Sequence, residues 1–339
     1  MTKAATMKNH RLMYIVAAAT MVIAVVMALI GPKLAMAAED SLPASFDMGN
    51  GTIVTDNVGV WTVADVSTSS MTPQVAYDVK VDVYDSNTLN DLTTITVILF
   101  YDANGTYLAG DESGSDADED QATFTWTQAT GTFAKTGPDG TWAISDGDSV
   151  EPTLTDPTGT FEFRITIGDV ATQTVDPARW HVYAIATDGF SPDSDTAENL
   201  TMQWYGAITI ITGSVAWTTV TPGMDWTASD DPVEVTYISN GHYHKAIKSN
   251  AAAWTGGDGA TQVDSDSPGQ QQFALKATDS ATELDAVRFL TSYVDIGESA
   301  TQTDEDGVDD VANTIWLKTG TPFTTGTYSG TIYYQIAMS

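Results

Sequence analysis

Val75, Tyr77, Val79, Val81 and Val83 alternate with Ala76, Asp78, Lys80 and Asp82. A period of two puts one set of side chains on each face of an extended strand, so this stretch reads as a half-buried β-strand. "TGTFEFRITIGDV" repeats the pattern, with Phe161, Phe163, Ile165 and Ile167 set against Glu162, Arg164 and Thr166. "TITVILFYDANGTYLAG" reads as a strand, an Asn104-Gly105 turn and a return strand. "ATFTWTQATGTFAKTGPDGTWAI", "RWHVYAIATD" and "LTMQWYGAITII" add further strands. Thr, Val, Tyr and Trp dominate throughout, and turn signals recur about every ten residues, a spacing that predicts an all-β sandwich. A second cycle starts with "GSVAWTTVTPGMDW" and runs to "NTIWLKTGTPFTTGTYSGTIYYQIA". Only "SATELDAVRFL" permits a short helix. The expected organisation is an N-terminal segment 1–37 and two tandem β-sandwich domains, 38–210 and 211–339.

The N-terminus carries Lys3, Lys8 and Arg11, then 19 uncharged, mostly apolar residues from Leu12 to Ile30. Ala35 and Ala37 follow with signal-peptidase spacing, which predicts export with cleavage before Ala38. The uncleaved alternative is a membrane anchor, because the run is just long enough to span a bilayer. Either way the domains lie outside the cell, and the membrane is engaged only through this segment.

The chain has 45 acidic and 13 basic residues, and all the acidic ones lie beyond Lys33. Such a surface repels phosphate backbones and excludes nucleic acid as a partner. It suits divalent cations, high salt or cationic partners. Cysteine is absent, which removes disulfides, thiolate metal sites and cysteine nucleophiles.

"TPFTTGTYSGTIYYQIA", residues 321–337, is similar to the closing strands of secreted archaeal and bacterial surface β-sandwich domains. "VTPGMDW" and "VTYISNG" resemble the opening strands of such modules, and the first domain resembles an immunoglobulin-like domain of S-layer-associated type. The resemblance implies an exported surface protein of a structural or interaction kind. It carries no catalytic residues.

"TQTDEDGVDDVAN", residues 301–313, is the strongest candidate for a metal site. With Gly307 at the sharp turn of a calcium loop, Asp304, Asp306 and Asp310 take ligand positions 3, 5 and 9, and the Val308 carbonyl takes position 7. Gln302 and Asn313 stand where the loop should open and close, so the terminal bidentate carboxylate is missing. The prediction is a weak calcium site at most, set against a plain solvated acidic turn. "DESGSDADED", residues 111–120, fits no ligand spacing and reads as a solvated loop. His242 and His244 share one strand face without a third histidine nearby.

Trp126, Trp180, Trp204 and Trp316 fall on strand patterns and read as core, whereas Trp142, Trp226 and Trp254 lie near turns and are the candidates for exposed sugar platforms. Asn50, Asn104 and Asn199 sit in N-glycosylation sequons. No nucleophile elbow, zinc-protease motif or phosphate loop is present.

These observations favour an exported, acidic, non-enzymatic structural protein of the cell surface, a subunit of an S-layer-like lattice or filament. Its partners are then other copies or other surface proteins, and residues 52–63 are a candidate for donation to a neighbour. The plain alternative is pairing within their own domain. A second expectation is an adhesion or carbohydrate-binding protein, stabilised by calcium and engaging glycans. A third is a halophile's secreted protein, whose charge reports the medium.

Overall fold

The computed structural model describes residues 45–46, 49, 51–113, 119–137, 140–250, 253–297, 299–304 and 306–339. The N-terminal segment 1–37, Asn50 and Glu305 lie outside the described residues. Asn50–Ser339 form one compact unit with two hydrophobic cores. The fold is all-β, with helical structure limited to short 3-10 turns among the described residues.

Eleven strands build the first sandwich: β1 (Ile53–Thr62), β2 (Val66–Thr68), β3 (Ser70–Met71), β4 (Ala76–Asp85), β5 (Thr94–Asp102), β6 (Gln121–Thr127), β7 (Thr132–Gly137), β8 (Ala143–Ile144), β9 (Thr158–Thr166), β10 (Arg179–Thr187) and β11 (Pro192–Met202). One sheet runs β2-β1-β4-β9-β8 and the other β3-β11-β10-β5-β6-β7. β3 is parallel to β11, whereas the other pairings in this sandwich are antiparallel. This is the strand order of a variable-type immunoglobulin domain. Alternation explains the core. Tyr77, Val79, Val81 and Val83 of β4 and Phe161, Phe163 and Ile165 of β9 all turn inward and are buried. Across the layer, Trp126 lies 4.8 Å from Phe161 and donates its Nε1–H to Glu151 at 3.0 Å. Asp78, on the opposite face of β4, is also buried and is paired by the Arg164 guanidinium, which donates to it from two nitrogens. Residues 52–63 do not leave the domain: β1 pairs with β2 and β4.

The expected Asn104-Gly105 hairpin is not formed as such. The partner that returns along β5 is β6, beyond the acidic loop. Asp102 accepts the Asn104 N–H at 2.8 Å to make the turn, and a Cβ at Gly105 would sit 1.8 Å from the Pro177 carbonyl. The chain is held there against residue 177 and cannot fold straight back on β5.

The second sandwich contains β12 (Gly206–Ile210), β13 (Thr227–Ala228), β14 (Val233–Ser239), β15 (Tyr243–Ser249), β16 (Ala253–Trp254), β17 (Ala260–Gln262), β18 (Gln272–Thr278), β19 (Val287–Arg288), β20 (Val294–Asp295), β21 (Val308–Thr319) and β22 (Ile332–Met338). "LTMQWYGAITII", expected to add strand structure, is divided between two strands. β11 ends at Met202 in the first sandwich, and β12 pairs with β14 in the second. The large sheet runs β12-β14-β21-β18-β17-β16, with β13 added to β21 and β19 to β18; the facing sheet is only β20-β15-β22. "SATELDAVRFL" makes a single 3-10 turn, Glu283–Asp285.

A buried amide joins the sandwiches. Asn240 donates its Nδ2 hydrogens to Ala171 O (2.7 Å) and Gln203 O (2.9 Å), and its Oδ1 accepts the Tyr205 N–H (2.6 Å). Its backbone carbonyl accepts the Gln173 N–H at 2.8 Å. Gln302 adds a bond to Val170 O at 2.7 Å.

Candidate functional site: an uncharged groove beside an open sheet edge

The mismatch between the two sheets of the second sandwich creates the site. A three-stranded layer cannot cover the inner face of an eight-stranded one. β22 is the end of the smaller sheet, paired on one side with β15. Among the described residues, no strand pairs with its other edge. Beyond that edge, the large sheet is met by two segments without strand structure, residues 211–226 and 320–331. "GSVAWTTV" has strand composition, yet it forms no strand in the structure. It is tied to the rest of the fold by bonds from Asp230 N–H to Ala216 O, from Thr218 N–H to Asp230 at 2.9 Å and from Trp217 Nε1–H to Thr227 O at 3.1 Å, and Val215 and Trp217 pack on the second core.

The result is a groove of about 750 Å³. Phe273, Ile315 and Leu317 of the large sheet form its floor, and Trp217, Trp254 and Tyr334 stand on its sides. These floor residues belong to the second hydrophobic core. Among the described residues no charged side chain lines the groove, in a chain of net charge −32; its polar groups are chiefly threonine hydroxyls. Its volume and apolar lining are those of a binding site. Trp254 packs on Phe273 at 4.9 Å and is anchored by its Nε1–H to Ser249 at 3.1 Å. A Cβ at Gly330 would lie 2.4 Å from the Trp254 ring, so only glycine lets the 320–331 segment close over it. The Tyr334 hydroxyl is shut off from solvent without a hydrogen-bond partner, and burial pushes the phenol well above its ordinary range.

The β22 edge is itself open to pairing. "IYYQIAM" carries no charge and no proline, and Tyr333 and Met338 are exposed. Natural sheets protect such edges with lysine, proline or bulges, and an uncharged aromatic edge is a template for strand addition.

The other predicted sites lie elsewhere. Asp304 and Asp306 are exposed on the turn where Gly307 takes φ +79°, and Asp310 falls within β21. The two residues at the ends of the predicted loop are engaged apart from it. Gln302 binds Val170 and Thr172 of the first sandwich, while the buried Asn313 donates to Val311 and Val233. Among the described residues there is no group of three or more His, Asp or Glu side chains placed to hold a metal. In the 111–120 loop, Asp111 accepts the Leu108 N–H, Glu112 the Gly110 N–H and Asp120 the Thr172 hydroxyl.

His242 is exposed; His244 is half-buried, 3.2 Å from Ser299 Oγ and 3.9 Å from Asp295. Asn104 and Asn199 are exposed, Asn199 with φ +63°.

Trp142, expected as an exposed platform, is 2% exposed. It packs 5.7 Å from Trp180, and a Cβ at Gly168 would lie 2.7 Å from its ring. Trp226 is covered by Lys276 at 4.5 Å and Lys318 at 5.9 Å. Trp254 faces the groove rather than open solvent. Trp126, Trp180 and Trp316 are buried as expected, and Trp204 packs partly buried on the second core.

No family model matches this chain, and no curated protein matches it. Among solved structures it is similar to the sporulation control protein Spo0M from Bacillus subtilis, with 11% identity over 57% of this chain and 80% of that one and a TM-score of 0.26. The site is therefore read from its own residues.

Proposed function

We propose that this protein is an exported, non-enzymatic structural subunit of the cell surface that builds an extracellular filament or lattice by accepting a β-strand along β22. The observation that carries the reading is the uncharged groove beside the unpaired β22 edge, on a chain that is strongly acidic elsewhere. Strand addition combines main-chain hydrogen bonds at the edge with apolar side chains set into the groove at every second residue. Two features support a role in assembly. The Asn240 junction holds the two sandwiches as one unit, which suits a subunit of fixed length. The acidic surface keeps copies apart until salt screens it, over about 10 Å at 0.1 M and 3 Å at 1 M ionic strength. An adhesion role through exposed tryptophan platforms has less support, because Trp142 is in the core and Trp226 lies under two lysines.

Sedimentation and negative-stain electron microscopy of the purified chain across a salt series test the proposal. Ordered assemblies that grow as salt rises are expected. A monodisperse monomer in every condition overturns it.

A further inference from the structure

The proposed function leaves open which strand enters the groove, and the inference here rests on that reading. We infer that the strand is residues 41–49, "SLPASFDMG", of a second copy of this chain. Three observations point to it.

The first is pattern. Leu42, Ala44, Phe46 and Met48 alternate with Pro43, Ser45, Asp47 and Gly49. An extended chain therefore presents four apolar side chains on one face, and its single charge, Asp47, on the other. An uncharged groove accepts that apolar face without burying a carboxylate. The backbone groups of alternate residues also point to opposite edges of a strand. When Leu42, Ala44, Phe46 and Met48 pair with β22, Pro43, which lacks an N–H, faces the far edge and forfeits nothing. Nine residues at about 3.3 Å each cover the seven of β22.

The second is exposure. Phe46, seven residues before β1 opens at Ile53, is a large apolar side chain left 83% exposed.

The third is reach. Ile53 pairs with Asp85, and Tyr84 pairs with Thr158, so β1 begins at the end of its sheet that holds the start of β9. The second sandwich docks at the opposite end, through residues 170–173 just beyond the close of β9. About 30 Å of sheet separates the two ends at strand spacing. Four Cα steps join Gly49 to Ile53, no more than about 15 Å. Gly49 and Met48 therefore cannot reach β22 of their own chain, so the segment cannot lie along the length of that strand and is free to meet that of the next. A head-to-tail contact of this kind does not close on itself and extends into a filament.

The absence of cysteine allows a direct test. Chains carrying Phe46→Cys are mixed with chains carrying Val215→Cys, on the groove wall, and oxidised under assembling salt. A disulfide-linked pair of the two variants is expected, and a ladder of oligomers from the double variant. A synthetic peptide of residues 41–49 is expected to bind the intact chain and cap assembly. The peptide with Phe46→Asp should bind at least about tenfold more weakly, because it loses the burial of one aromatic side chain. Full-length Phe46→Asp should fold, fail to assemble and still bind the wild-type peptide.

Assembly without a Phe46→Cys/Val215→Cys link overturns this inference and leaves strand acceptance standing. So does a Tyr333→Cys chain that links to itself, which marks edge-to-edge pairing of two β22 strands. Failure of every variant and of the wild type to assemble overturns the proposed function and this inference together.

Discussion

Asn240→Ala should uncouple the two sandwiches. Asn240 is fully buried, and its side chain makes three hydrogen bonds, to Ala171 O, Gln203 O and the Tyr205 N–H. Truncation removes the partner of the Ala171 carbonyl in the buried part of the junction, and of the Gln203 carbonyl and Tyr205 N–H on its partly open side. An orphaned buried group costs about 1 kcal/mol or more and one that water can reach costs less, so the loss is about 2 kcal/mol. That is a large share of the roughly 5–15 kcal/mol that holds a folded domain together. Urea denaturation followed by tryptophan fluorescence reads both halves, because Trp126 and Trp180 belong to the first core and Trp217 and Trp254 pack on the second. The native chain is expected to unfold in one transition. The variant is expected to show two, with the first at lower urea. Asn104→Ala, at an exposed turn, is the control and should stay within about 0.5 kcal/mol of the native chain. A loss below about 1 kcal/mol for Asn240→Ala, with one unchanged transition, would refute the assigned junction.

Two further outcomes follow from single side chains. Burial pushes the His181 imidazole below its ordinary value of 6.5, against a weaker opposite pull from Asp102, Glu198 and Asp111. The unfolded chain then takes up the proton first, so stability should fall as pH drops below about 6.5. His181→Phe should flatten the stability curve between about pH 7 and 5, and an unchanged slope would show that other groups carry it. At equal ionic strength, calcium should raise Tm no more than sodium does, in the native chain and in the double variant Asp304→Ala, Asp306→Ala alike, because Gln302 and Asn313 are bonded away from the loop; a calcium increment that the double variant loses would restore the loop as a site.

Much of the fold was legible because alternation is local. β4 and β9 bury the residues their period of two assigns, apart from the exposed Val75 that precedes β4. Trp142 was misread because its Gly-Pro-Asp-Gly neighbourhood signals a turn, and turns are usually exposed; here the Trp142 ring packs against Gly168 in the core. The groove was not legible. "GSVAWTTV" has the composition of a strand, and nothing within it records that no neighbouring strand adds to it. Whether a strand has a partner on each side is decided by the layer opposite, and three strands facing eight is a property of the whole sandwich. Likewise, Gln302 and Asn313 have ligand chemistry, yet tertiary contacts take both for other bonds. "TIYYQIA" was read as a closing strand, and it is one; its open edge became visible only with β15 on one side and, among the described residues, no strand on the other.

Hydrogen exchange of the β22 amides, in the monomer and in the assembled form, tests strand acceptance most directly. In the monomer, amides of Ile332–Met338 that face away from β15 should exchange freely. On assembly they should slow by at least about tenfold, the equivalent of one added hydrogen bond each. Equal exchange of these amides in the two forms would contradict the account.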